Sequence, residues 1–171
     1  MTTAGWPGRR GKAQPRSLDA LTRSAGPHKI VRVKIEHTAY QVADPVSLAA
    51  WYVAHFGLRV KRSQKESPFG YFLADDGDSV MLEFYRQDAL PVPDYRAMDP
   101  LLLHLAFLAD EVSATRARLI AAGATPEGEA FTNAAGDEVA MLRDPWGLPV
   151  QLIRRAAPMI PGTSSGAKPP A

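Results

Sequence analysis

The stretch IEHTAYQVADPVSLAAWYVAHFG, residues 35–57, decides the fold, because its pattern returns as LLHLAFLADEVSATRARLIAAG, residues 102–123. Each copy opens on a β-prone run that contains a histidine, passes an aspartate, continues with apolar residues at helical spacing and stops at glycine. Asp44 followed by Pro45 reads as an N-cap with proline at the first helical position. Leu48, Trp51, Tyr52 and Phe56 then share a helical face, and Gly57 ends it. In the second copy Asp110 reads as the cap, Val112, Leu119 and Ile120 as the apolar face and Gly123 as the stop.

Outward from these stretches the punctuation keeps repeating. Val31 to Val42 is a strand pattern, and Leu58–Gln64, Phe69–Ala74 and Ser79–Arg86 are three more, with Asp76-Gly77 as the tight turn before the last. The second half offers strands over Leu101–Ala109, near Glu129–Thr132, over Glu138–Arg143 and, after the turn Asp144-Pro145-Trp146-Gly147, over Pro149–Arg154. Asp44 to Asp110 is 66 residues, Gly57 to Gly123 is 66, and Asp75 to Asp144 is 69. A period carrying one whole supersecondary unit predicts two tandem βαβββ modules, 31–90 and 100–156, in an α+β fold. Each module offers a sheet with one helix-covered face. Its other face must be covered by the second module, a partner chain or a ligand.

Strand alternation picks out polar residues that do not suit a plain core. Leu101, Leu103, Leu105 and Phe107 are expected under the helix, which leaves His104 on the opposite face. In the first strand His37 shares a face with Val33, Ile35 and Ala39. Val80, Leu82 and Phe84 oppose Met81, Glu83 and Tyr85, and Gln151 alternates against Val150 and Leu152. His37 to His104 is 67 residues and Glu83 to Gln151 is 68, so each module supplies a histidine on its first strand and a Glu or Gln on its last. An approximate two-fold between modules would gather all four side chains at one centre. Two imidazoles, a carboxylate and an amide oxygen suit a divalent first-row metal, and a cation there would offset the cost of burying Glu83. His55 is expected to serve the end of its helix, and His28 has no assigned role.

Composition sets the outer limits. A length of 171 residues bounds the chain to one compact domain or two very small ones, and it has no cysteine for a disulfide, a thiolate zinc site or a Cys nucleophile. No apolar run approaches the ~18–20 residues that cross a bilayer. Residues 1–29 hold six Lys/Arg against one acid, a net +5, while residues 30–155 hold 13 basic and 17 acidic residues, a net −4. The folded part is therefore mildly acidic, which argues against nucleic acid as a partner. Residues 1–29 read as a flexible basic arm, 30–156 as the folded domain and 157–171 as a disordered tail. The location expected is cytoplasmic, although an Arg-rich, acid-poor start also fits an organelle transit peptide.

IEHTAYQVADP leading into a helix that ends HFGLRV, the strands VMLEFY and LLLHLAF, and the closing RDPWGLPVQLI resemble the vicinal oxygen chelate superfamily. That group includes glyoxalase I, methylmalonyl-CoA epimerase, extradiol dioxygenases and bleomycin-binding proteins, and the resemblance covers about residues 31–155. It implies an eight-stranded half-open mixed-sheet cup with the helices outside, and a homodimer. It also implies that His37, Glu83, His104 and Gln151 hold one divalent ion, with Fe2+ favoured over Zn2+, Ni2+, Co2+ or Mn2+. Gln151 stands where glyoxalases carry a glutamate, and an amide cannot shuttle a proton. Two histidines and one carboxylate are the ligand set of extradiol dioxygenases. The implied activity is metal-dependent chemistry on a small substrate that chelates the ion through neighbouring oxygens. Oxygenase chemistry is favoured, a glyoxalase-like lyase or an acyl-CoA epimerase-like isomerase is the second reading, and non-catalytic drug binding the third. Glu83 is the catalytic candidate, and Tyr71, Tyr85 and Arg143 are candidate pocket residues.

Overall fold

Two mixed sheets, each with one helix packed on it, are described by a computed structural model over residues 33–160. The basic arm lies outside the described residues, as does the tail beyond residue 160. In the first module β1 (His37–Gln41), α1 (Pro45–Phe56), β2 (Arg59–Ser63), β3 (Tyr71–Ala74) and β4 (Met81–Tyr85) follow in order. The second module runs β5 (Leu105–Leu108), α2 (Val112–Ala121), β6 (Thr125–Pro126), β7 (Phe131–Thr132), β8 (Glu138–Arg143) and β9 (Pro149–Arg154). Strand order is β1-β4-β3-β2 in one sheet and β5-β9-β8-β6 in the other, with β7 also paired to β8. In both sheets the first strand pairs parallel with the last and forms an edge, and the remaining pairs are antiparallel. The tandem modules are thus present, as a four-stranded and a five-stranded sheet, one strand more than the eight expected. No helix among the described residues is long and apolar enough to cross a membrane.

Local chemistry accounts for the ends of these elements. Asp44 caps α1 by accepting the Ser47 amide at 3.0 Å, Pro45 opens the helix and Gly57 closes it in the left-handed region at φ 69°. The cap of α2 differs from expectation: Glu111, not Asp110, holds the N-cap position, and its side chain makes no capping bond. β1 begins only at His37, with Val33 and Ile35 exposed before it. Leu101 and Leu102 do not belong to β5 and are exposed. Asp99 instead accepts the amides of both, through Oδ1 and its carbonyl, and wraps that segment into a turn. The strand expected near Glu129–Thr132 is present only as β7, and the short β6 before it, separated from it by Gly128 at φ 76°, was not expected.

The core lies on the helix-bearing faces. Tyr52, Leu48, Leu73 and Phe84 are fully buried there, and Leu148 and Val150 of the second module join the same cluster. An aromatic chain runs from Phe84 to Tyr52 (5.0 Å), to Phe56 (5.2 Å) and to Phe107 of β5 (4.2 Å), so α1 ties β4 to β5. Trp51 Nε1 donates to the Ala122 carbonyl at the end of α2 at 2.9 Å. Trp51, Phe56 and Phe107 pack both against this cluster and against a second one of Val112, Leu119, Leu142 and Leu152 under α2, so the modules join on their helix sides, and the opposite faces carry the partly exposed His37, Glu83 and Gln151.

Candidate metal-binding face

Register assigns each candidate to a face, because laterally paired residues point the same way. Phe84 lies on the core side and Glu83, next in the strand, on the opposite side. Across the first sheet Ala39 pairs with Glu83, Glu83 with Phe72 and Phe72 with Arg62. One row on this opposite face thus reads Ala39, Glu83, Phe72, Arg62. His37 stands one pair away, beside Met81, with its ring edge-on to Phe72 at 5.5 Å and 86°. The second sheet repeats the arrangement, since Ala106 pairs with Gln151 as Ala39 pairs with Glu83. In both modules the histidine precedes that alanine by two residues.

The two histidines are oriented alike. His37 Nδ1 engages the Glu36 carboxylate, and its Nε2 stands 3.4 Å from Glu83 Oε2. His104 Nδ1 engages the Pro100 carbonyl at 2.8 Å, which leaves Nε2 free. Fixing Nδ1 by an outer acceptor is how a protein presents Nε2 as a ligand. The Glu36 hydrogen bond, and after it the charges of Glu36 and Glu83, raise the His37 pKa above the ordinary histidine value. Glu83 is 19% exposed and His37 37%.

A divalent ion fits this pair. Two ligands about 2.0–2.1 Å from a zinc-like ion at a tetrahedral angle lie about 3.4 Å apart, the separation seen between Nε2 and Oε2. Among the described residues, however, no group of three His, Asp or Glu side chains is gathered where one ion could be held. The chain therefore brings His37 and Glu83 together, and in the second module it places His104 two residues before Ala106, the register partner of Gln151. It does not collect the first pair and His104 at one centre within a single copy.

The other candidates separate. Tyr85 shares the opposite face with Glu83 and pairs with Gln41. Tyr71 pairs with Phe84 and packs against the core, so it points away from that face. Arg143 is a correction: it is 8% exposed, ion-paired with Glu127, and donates to the carbonyls of Tyr95, Met98 and Gly147. It pins the segment between the modules to β8 instead of lining a pocket. His55 sits in the last turn of α1, as expected, with its ring 5.1 Å from Trp51. His28 lies outside the described residues.

Gln64 and Gly70 are functional candidates that sequence reasoning missed. Gln64 donates its amide to the Gly70 carbonyl at 2.8 Å and closes the β2–β3 hairpin. A Cβ at Gly70 would stand 3.4 Å from Gln64 Oε1 and 3.6 Å from Glu83 Oε1. The absent side chain thus opens a gap between an amide oxygen and the site carboxylate. A cavity of about 420 Å³ lined by Gln64, Lys65, Glu66, Ser67 and Pro68 adjoins it. A glycine one residue before a β-strand was the only signal available in the sequence.

Comparison with known proteins agrees with this architecture. The family described as "Glyoxalase-like domain" matches residues 37–153. The solved structure of SMU.1112c is similar at 30% identity and TM-score 0.57, with 74% of this chain and 100% of that one covered. TnmS3, an antibiotic binding protein from Streptomyces sp. CB03234, aligns at 20% identity and TM-score 0.57 over 75% of this chain and 100% of its own. A member of the glyoxalase/bleomycin resistance protein/dioxygenase superfamily from Sphaerobacter thermophilus DSM 20745 aligns at 13% identity and TM-score 0.58, over 72% and 98%. No curated protein matches. With both modules spanned by the match and the repeated sheet topology in place, the chain belongs to the glyoxalase-like family of the vicinal oxygen chelate superfamily.

Proposed function

We propose that the protein is a divalent-metal-dependent enzyme whose site forms between two copies of the chain. His37 and Glu83 of one copy and His104 and Gln151 of the other hold the ion. The observation that carries this reading is the 3.4 Å approach of His37 Nε2 to Glu83 Oε2, with each histidine's Nδ1 already engaged. Edge strands β1 and β5 carry or adjoin these histidines, and each is preceded by exposed apolar residues, Ile35 and Leu102. Such edges are suited to pairing with a second copy.

The substrate is a small molecule that binds through two neighbouring oxygens. The ion, when bound, supplies Lewis acidity and, if it is iron, a site for dioxygen. Glu83 contributes the site's one carboxylate, and Gln151 contributes an amide that can accept from or donate to substrate but cannot carry a proton. Oxygenase chemistry needs only this one carboxylate, whereas proton shuttling prefers two bases. Elemental analysis of protein purified without added metal, followed by oxygen uptake with catechol, tests the reading. Iron with oxygen uptake supports it. Zinc, nickel or cobalt with turnover of a hemithioacetal or an acyl thioester moves the reaction to lyase or isomerase chemistry. No metal uptake together with tight binding of a drug-like ligand ends the enzymatic reading.

A further inference from the structure

Strand β2 carries three cations, Arg59, Lys61 and Arg62, and two of them are already committed. Arg59 and Lys61 both bind Asp78, at 2.8 and 3.1 Å, and Arg59 also donates to the Asp75 carbonyl at 2.9 Å. Arg62 has no ion pair and no side-chain hydrogen bond among the described residues. The reason lies in the backbone. A bulge between Val60 and Arg62 sets an extra residue in β2, so that Lys61 goes to the turn and Arg62 comes into register with Phe72. Bulges commonly re-aim a side chain in this way next to active sites. Arg62 is thereby placed on the face that carries Glu83, two strands away from it.

Strand spacing sets the distance. Neighbouring strands lie about 4.8 Å apart, so the Glu83 and Arg62 backbones are about 10 Å apart, with Phe72 between them. A guanidinium at that remove is too far to neutralise Glu83, but it can pair with an acid carried at the far end of a ligand. Its planar fork suits a carboxylate or phosphate.

Resting on the metal site proposed above, we propose that Arg62 binds an anionic group of the substrate. The substrate then lies across the sheet with its chelating oxygens at His37 and Glu83, an apolar middle over Phe72 and its acid at Arg62. Gln64 and the cavity wall bound it at the hairpin end. The ligand class that follows is a small organic acid whose carboxylate or phosphate is separated by an apolar spacer from a pair of adjacent oxygens.

The test uses the full chain loaded with zinc, which cannot turn an oxygenase substrate over. Titration calorimetry compares 3-(3,4-dihydroxyphenyl)propanoate with the neutral 4-propylcatechol. The acid is expected to bind about five- to tenfold more tightly, as one charge-assisted hydrogen-bonded pair allows. That advantage should shrink as salt is raised. Arg62→Ala and Arg62→Gln should both abolish the difference between the probes, and Lys61→Ala, which removes a cation committed to Asp78, should preserve it. Equal affinities in the wild type, a difference that survives both Arg62 variants, or one that Lys61→Ala removes would overturn the Arg62 assignment and leave the metal site standing. If the zinc-loaded chain binds neither probe, both proposals fall together.

Discussion

Asp144 is a carboxylate with no exposure, held at the turn between β8 and β9. Its Oδ1 accepts the amides of Trp146 and Leu148, each at 2.9 Å, and its Oδ2 accepts the Tyr52 hydroxyl at 3.1 Å. Burial outweighs these donors and pushes its pKa up from 3.8 to about 6. Between about pH 4 and 6 the native state thus holds a proton that the unfolded chain has released. This group's contribution to stability therefore falls as pH rises through that window. Urea unfolding of Asp144→Asn at pH 4.5 and 6.5 should show a weaker pH dependence than the wild type, and an unchanged dependence would reject this account. Gly147, three residues on, has φ 98°, and a Cβ there would meet the Arg96 amide nitrogen at 3.2 Å. Gly147→Ala should cost about 2–4 kcal/mol in denaturant unfolding, from overlap with the Arg96 side chain and a tight approach to its backbone, added to the left-handed conformation. At the site, Glu83→Gln should weaken zinc binding at least about tenfold, as loss of a ligand carboxylate requires. Unchanged affinity would remove Glu83 from the ligand set.

At the scale of elements, the segment between β4 and β5 shows how irregular chain is held. Gln41, 8% exposed, donates to the carbonyls of Gln87 and Leu90 and accepts the Gln87 amide, while the Tyr95 hydroxyl donates to the Gln41 carbonyl. Arg143 grips the same segment from β8 through the Tyr95 and Met98 carbonyls. Arg143→Met leaves these carbonyls and Glu127 without a donor and should cost about 2–4 kcal/mol. Zinc affinity at pH 7 should stay at the wild-type value, which separates a structural role from a pocket role. Much of this scale was legible in sequence. β8 and β9 match their expected spans residue for residue, because alternation is strict and both ends carry turn residues. β1 and β5 were expected to start earlier, and the difference is physical. Val33, Ile35, Leu101 and Leu102 are apolar enough to read as buried strand, but nothing in one copy of the chain covers them.

At the scale of the whole molecule, the proposed shared site makes a prediction that a self-contained site does not. In a mixture of His37→Ala and His104→Ala chains, each heterodimer would contain one site with both histidines and one with neither. Random pairing should restore about a quarter of the wild-type metal sites, since half the dimers are mixed and each regains one of two. Restoration of none would place all the ligands within one chain. The paired modules, the placement of His37, Glu83, His104 and Gln151 away from the helices, and the family were determined by the sequence alone. Strand periodicity and the repeat offset are local properties, and they survive without knowledge of the rest of the fold. Only the tertiary structure decided that the second sheet has a fifth strand and that His37 meets Glu83 without His104. It also decided that Arg143 holds a linker and that a bulge turns Arg62 toward Phe72. Each of these depends on which surfaces meet across the core and how strands register, and no single stretch of chain encodes that.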